Sequence, residues 1–289
     1  MNWQIILLLN IAIGTTAIIL IKLIVNKLPL VQALFLQYLI CFIMIFGYWI
    51  LTGQAKLVVP IDAFKIFVLG FFICFGTYCQ WRAYKINLSK TSLLGPLSNV
   101  LTITLSLIFL NEIAQWNLSL AVGTCLSFGA IWLFLTQKQK IQKSKERDVK
   151  KWLLFALGMM VIFGIANFLT KVFSFRIPRV QFLMFWYTGA FLASLFILCF
   201  KKQNPFVFPG KVIFLIPLLS LSIIGSLATS YWAFQLTLAS QVIPFQAIGF
   251  TFFPILAGWF IFKERVRLSR REILAFLIGT AGVLFIIFS

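Results

Sequence analysis

The feature that most constrains this chain is the recurrence of long apolar segments from one end to the other. A helix needs about 20 apolar residues to cross a bilayer. The segments are too long, and lack the two-residue alternation, expected of a transmembrane barrel. The sequence therefore predicts an all-α integral membrane protein with about ten transmembrane helices. They lie near residues 4–24, 29–51, 64–83, 91–110, 116–136, 152–172, 180–200, 212–234, 240–262 and 271–288.

The composition agrees with a chain whose solvent is lipid. Of the 289 residues, 62% are hydrophobic and 11% are charged, whereas soluble domains have about 45–50% apolar and about 25% charged residues. A soluble fold has no means of hiding so much apolar surface. We expect a multi-pass protein of the cell membrane, most simply a bacterial cytoplasmic membrane.

An internal repeat divides the chain into two halves. We expect a first five-helix repeat at 1–137, a basic linker at 138–151 and a second five-helix repeat at 152–289. Five is an odd number, so the second half enters the membrane from the opposite side and the repeats are inverted, as in many transporters. An offset of 149 positions aligns Trp3 with Trp152, Lys22 with Lys171, Pro29 with Pro178, and Tyr38 with Tyr187.

The positive charge is distributed in a way that predicts orientation. The chain has 25 Lys and Arg against 6 Asp and Glu, for a net charge of +19, and the basic residues fall between the apolar segments. A nucleic-acid partner is therefore not expected. Most of them lie in alternate loops, which include the linker 137–151, and such loops are retained in the cytoplasm. Both termini are then predicted to be external.

Polar and aromatic residues within the apolar segments are candidates for a substrate site. Such residues face a cavity or a neighbouring helix, because they are costly in lipid. Together they would form a cavity of aromatic faces and amide groups, suited to neutral or zwitterionic solutes. The alternative is hydrogen bonding between helices, which uses the same residue types. The predicted substrate-binding residues are Asn10, Gln37, Tyr78, Asn99, Tyr187, Tyr231 and Gln246.

Other residues have simpler interpretations. The series Ser222, Ser226 and Ser230 has a four-residue spacing that predicts a close-packing helix face. Lys22 and Lys171 stand at helix ends, where snorkelling to the headgroups is the expected behaviour.

Catalysis in the membrane is not expected. The chain has no histidine, and its six acidic residues fall at predicted helix ends or in loops. The usual acid–base groups are therefore missing. The five cysteines form no CxxC pair, so we expect neither a zinc site nor a cofactor.

A few positions carry a family resemblance over the whole chain. A glutamate closes the fourth helix of each half, at Glu112 and Glu264, and a glycine follows in the fifth, at Gly123 and Gly279. Pro254 stands ten residues before Glu264. With these motifs the chain resembles the drug/metabolite transporter superfamily, in its EamA-like ten-helix branch. The resemblance implies a secondary transporter of a small, amino-acid-like or other neutral or zwitterionic metabolite, often exported, that works by alternating access.

The chain also departs from the family pattern. Thr102 stands where the first repeat often has a proline, and Gln37 and Trp186 stand where an arginine is common. An anion-binding role of that arginine does not carry over. Two alternatives stay open, namely a membrane assembly partner without transport and a flippase of a lipid-linked substrate. The expected partners are a small-molecule substrate and the bilayer, with a monomer as one possible state.

Overall fold

The fold consists of helices throughout the part of the chain described here. The computed structural model describes residues 3–52, 60–86, 88, 91–92, 95–112, 118–135, 146–204, 213–263 and 270–287, and these contain no strand. The helix bounds are α1 Trp3–Val25, α2 Leu30–Leu51, α3 Pro60–Ile86, α4 Pro96–Phe109, α5 Leu118–Leu135, α6 Glu146–Ser174, α7 Arg179–Phe200, α8 Leu215–Leu236, α9 Ala239–Phe260 and α10 Arg270–Ile287.

Seven of the described helices are long and apolar enough to cross a membrane, namely α1–α3 and α6–α9. Helix α4, with 14 residues, is shorter. Large apolar side chains such as those of Leu8, Phe72 and Leu154 are exposed on the outer faces, where a bilayer would solvate them. The chain is therefore a helical, multi-pass membrane protein.

Prolines define where two of the helices begin. Pro29 precedes α2 with φ −57°, and Pro178 precedes α7 with φ −59°. The lack of an N–H is harmless there, because the first turn of a helix leaves its N–H groups unpaired. Elsewhere the bounds differ from those predicted. Helix α6 begins at Glu146, inside the predicted linker. The polar residues that precede the apolar segment already form the first turns of this helix.

The central packing joins helices from the two halves of the chain. Helix α1 packs on α8 and α9, α3 packs on α6 and α7, α2 packs on α7 and α8, and α4 packs on α6 and α9. Helices α5 and α10 pack chiefly on each other. The helices from one half thus have many of their main neighbours in the other half.

Two glycines allow α3 and α7 to approach backbone to backbone. A Cβ atom on Gly70 would overlap the carbonyl oxygen of Trp186, and one on Gly189 would overlap that of Phe67. Gly47 on α2, by contrast, has no neighbour within 4 Å of such a Cβ atom. Gly70 and Gly189 are therefore required by close helix packing, as small residues are in other membrane bundles.

Charged side chains form hydrogen bonds with backbone groups at several helix ends. Lys22 Nζ donates to the carbonyl oxygen of Tyr84 at 2.7 Å, and Lys171 Nζ donates to that of Phe234 at 2.7 Å. With 6% and 2% of their surface exposed, these lysines do not snorkel. They instead satisfy carbonyl groups that a helix C-terminus leaves unpaired.

Glu112 has the corresponding role at a helix N-terminus. Its two carboxylate oxygens accept hydrogen bonds from the backbone N–H groups of Ala239 at 3.0 Å and Ser240 at 3.1 Å. Both residues belong to the first turn of α9, where unpaired N–H groups and the helix dipole favour a negative charge. Glu264, predicted to occupy the same place in the second half, lies outside the described residues.

Candidate functional site

A cavity of about 300 Å³ lies between α1–α4 and α6–α9. Its described lining residues are all uncharged. Aliphatic and aromatic side chains make up about half of them, and side-chain amides and hydroxyl groups supply the polar positions, which is the usual composition of a site for a small organic molecule. Among the described residues no group of His, Cys, Asp or Glu is arranged to hold a metal ion.

Two tyrosines on opposite halves of the chain form part of the aromatic wall. Tyr38 on α2 and Tyr187 on α7 line the cavity, with ring centroids 6.5 Å apart and a 47° angle between the planes. The Tyr38 hydroxyl pairs with the Thr77 hydroxyl at 2.7 Å. This bond fixes the Tyr38 ring, so that its face is held ready for contact with a solute.

A second part of the wall is a network of amides and hydroxyls. Gln246 Nε2 donates to Asn10 Oδ1 at 2.9 Å and to Ser230 Oγ at 2.8 Å. Asn10 Nδ2 in turn donates to the Ser226 carbonyl oxygen at 2.6 Å and lies within 2.9 Å of Thr229 Oγ1. Both N–H bonds of Gln246 are thus used, which fixes this side chain and leaves its carbonyl oxygen as the group available to a ligand.

The structure brings three of the predicted site residues to the cavity wall. Asn99, Tyr187 and Gln246 line it. Asn10 is fully buried and lies behind the wall, where it holds Gln246.

The other three predicted residues contact neighbouring protein groups. Gln37 Nε2 donates to Cys41 Sγ at 3.3 Å. The Tyr78 hydroxyl accepts from Arg82 Nη2 at 3.0 Å. The Tyr231 hydroxyl donates to the Ile177 carbonyl oxygen at 2.6 Å. None of these three side chains is part of the described cavity lining.

Several lining residues were not among those predicted. Ser226 and Ser230, interpreted from their spacing as a packing face, line the cavity and hold Asn10. The same four-residue spacing suits a helix-packing face and a cavity wall. What distinguishes the two roles is whether an amide such as that of Asn10 lies opposite the serines. Phe163 and Phe250 also line the cavity. No sequence signal separates them from the other phenylalanines, of which the chain has 34.

Comparison with known proteins finds a solved structure with the same fold. No family model matches the chain, and no curated protein matches it. The chain is similar to a protein of known crystal structure over 96% of this chain and 97% of that one, with a TM-score of 0.62 and 16% sequence identity. At this identity the likeness shows that the two chains share a fold over nearly their whole length.

Proposed function

We propose that this chain is a secondary transporter that moves a small neutral or zwitterionic organic solute across the cytoplasmic membrane by alternating access, with export as the expected direction. The observation that carries the proposal is the cavity between the two halves. It is uncharged and rich in aromatic and amide groups, and it has a volume of about 300 Å³, within the range of small-molecule sites.

Matched contacts in the two halves support the inverted repeat. A Cβ atom on Gly76 would lie 2.7 Å from the Ile162 side chain, and one on Gly225 would lie 3.3 Å from that of Ile13. Each residue of the second pair is 149 positions from its counterpart in the first. The lysine contacts are matched as well, since Lys22 and Lys171 each donate to a carbonyl oxygen at the C-terminus of the third helix of their own half. In the proposal α4, α5 and α10 complete the ten membrane spans.

A helix that bends beside the site is one way to expose that site alternately to the two sides of the membrane. Helix α9 contains Pro244 and Pro254, and each proline removes one hydrogen bond from the helix interior. Gln246, Phe250 and Thr251 lie between the two prolines and line the cavity. A change of bend at either proline would therefore move cavity residues directly.

A binding screen tests the proposal. Purified protein is heated in the presence of each member of a metabolite panel, because a ligand that binds the folded state raises the apparent melting temperature. A transporter of this kind is stabilised by at least one neutral or zwitterionic solute, and Asn99→Ala weakens that effect. A protein that no solute stabilises would favour the assembly-partner alternative, and one stabilised only by lipid-linked compounds would favour the flippase.

A further inference from the structure

Two aromatic donors in the cavity wall, like the hydroxyl of Ser92, have no hydrogen-bond partner among the described residues. They are the hydroxyl of Tyr187 and the indole N–H of Trp81. Both residues line the cavity, with 1% and 0% of their surface exposed. Buried polar groups are nearly always paired, because an unpaired one loses its hydration without compensation. These two aromatic residues of one cavity wall therefore each lack a hydrogen bond that an acceptor atom of a ligand would supply.

The unpaired Tyr187 hydroxyl arises where the two halves differ. Tyr38, 149 positions earlier, bonds to the Thr77 hydroxyl. The position equivalent to Thr77 is Ser226, whose carbonyl and hydroxyl oxygens lie 2.6 Å and 3.3 Å from Asn10 Nδ2. The Ser226 hydroxyl lies beside Asn10 Nδ2, and the Tyr187 hydroxyl is left without the kind of partner that Tyr38 has.

The Trp81 indole on α3 contrasts with a buried aromatic residue on α8, which is the corresponding helix of the second half. Tyr231, 150 positions later, donates its hydroxyl to the carbonyl oxygens of Phe173 at 2.9 Å and Ile177 at 2.6 Å. Trp81 is equally buried, but its N–H has no such partner. Tyr38 in the first half and Tyr231 in the second half bond to protein groups. Trp81 in the first half and Tyr187 in the second half line the cavity and are left unpaired.

We propose that Tyr187 and Trp81 form a donor pair that binds carbonyl or carboxylate oxygen atoms of the transported solute. The inference rests on the transporter function proposed above and narrows its substrate class to solutes that carry such an acceptor. Neutral donors suit the uncharged wall. Rings of Trp186, Phe163 and Phe250 also line the cavity and offer flat apolar faces, so a planar group next to the acceptor fits best.

A comparison of two phenylalanine variants tests whether the Tyr187 donor is unpaired. Tyr231→Phe removes a hydroxyl with two protein partners, and we expect it to lower the melting temperature of ligand-free protein by about 2–4 °C. Tyr187→Phe removes a hydroxyl without one, and we expect an unchanged or higher melting temperature. An equal loss in the two variants would show that Tyr187 is paired within the protein and would overturn the proposal.

Three small probes test the ligand chemistry. Benzamide carries a carbonyl acceptor, benzoate carries a carboxylate, and benzylamine carries neither. We expect benzamide, benzoate or both to raise the melting temperature of the wild-type protein, and benzylamine to have no effect. The more effective of the two acceptors identifies the oxygen that the pair binds. For that probe, Tyr187→Phe should weaken binding roughly 5- to 100-fold, whereas Tyr231→Phe should leave it unchanged.

The outcomes separate this inference from the transporter function itself. If neither oxygen-bearing probe stabilises the protein, or if Tyr187→Phe binds them as the wild type does, the donor-pair assignment is wrong. A metabolite that stabilises the wild-type protein and Tyr187→Phe equally would also show that the donor-pair assignment is wrong. It would still support a transporter, one whose solute contacts another part of the cavity wall. Failure of the whole metabolite panel would count against the proposed function, whatever the two phenylalanine variants show.

Discussion

Asn10 and Gln246, which are 236 positions apart in the chain, are joined by a hydrogen bond of 2.9 Å from Gln246 Nε2 to Asn10 Oδ1. The bond connects α1 to α9 and stands at the edge of the cavity. Asn10 has no exposed surface and Gln246 has 7%. One amide therefore has a packing role behind the wall, and the other presents the remaining acceptor to the cavity.

This relationship predicts different effects for two asparagines. Asn10→Ala removes bonds to α8 and α9, and should lower the free energy of unfolding by about 1–2 kcal/mol, since single intramembrane hydrogen bonds average about 0.6 kcal/mol and reach about 1.7 kcal/mol. Asn99→Ala changes a half-buried cavity residue and should keep stability while it weakens solute binding. Thermal unfolding and binding are measured on the same preparations. A large stability loss in Asn99→Ala with normal binding per folded molecule would show that Asn99 only joins helices.

The two buried lysines should be needed for stability. Lys22→Met and Lys171→Met each leave helix-terminal carbonyl groups unpaired, and bonds from charged donors contribute about 1.5–3 kcal/mol. We expect each variant to lower the melting temperature by several degrees. Lys85→Met and Lys201→Met change exposed lysines at comparable helix ends and are the matched controls. Unchanged stability in both buried-lysine variants would mean that these contacts do not hold the helix ends.

Glu112 should prove to be a helix cap without a part in ion coupling. Glu112→Gln keeps one acceptor oxygen but loses the charge at the start of α9, and should cost about 1 kcal/mol of stability. Transport per folded molecule should be kept. Asp62→Asn alters a more exposed carboxylate that pairs with Lys65 and serves as the control. Loss of proton-driven transport in well-folded Glu112→Gln would assign Glu112 to coupling.

The orientation of the chain is tested with reporter fusions. A reporter placed after Ser289 should read as external, and one inserted at Lys143 should read as cytoplasmic, because basic loops are retained on the cytoplasmic side. Activity of a cytoplasm-specific and a periplasm-specific reporter is compared at each site. The reverse pair of signals would contradict the predicted orientation of both halves.

Helical fold was predictable from sequence because the length of an apolar segment is a local property. The predicted segment 4–24 corresponds to α1 at Trp3–Val25, and 180–200 corresponds to α7 at Arg179–Phe200. The predicted first residue of a helix was less accurate where polar residues precede the apolar segment, as in α6. A helix can continue past the lipid boundary without any change in its backbone hydrogen bonds.

Side-chain roles were harder to predict, because they depend on partners that are distant in sequence. Tyr187 and Tyr231 look alike in the sequence. Only the fold shows that one hydroxyl meets the carbonyl groups of Phe173 and Ile177 while the other lies unpaired in the cavity wall. Gln37 Nε2 likewise donates to Cys41 Sγ on its own helix, and Gln37 has no exposed surface. Periodicity places a residue on a helix face, but it does not say whether that face meets a neighbouring helix or a cavity.

The most direct measurement is solute counterflow in proteoliposomes. Vesicles that contain the purified protein are loaded with an unlabelled solute identified by the binding screen and diluted into the same solute in labelled form. The assay requires neither the coupling ion nor the direction of transport to be known. We predict transient accumulation of label with wild-type protein, at least about tenfold less with Asn99→Ala, and a normal rate with the control Asp62→Asn. Solute that binds the purified protein but never accumulates in the vesicles would contradict the account.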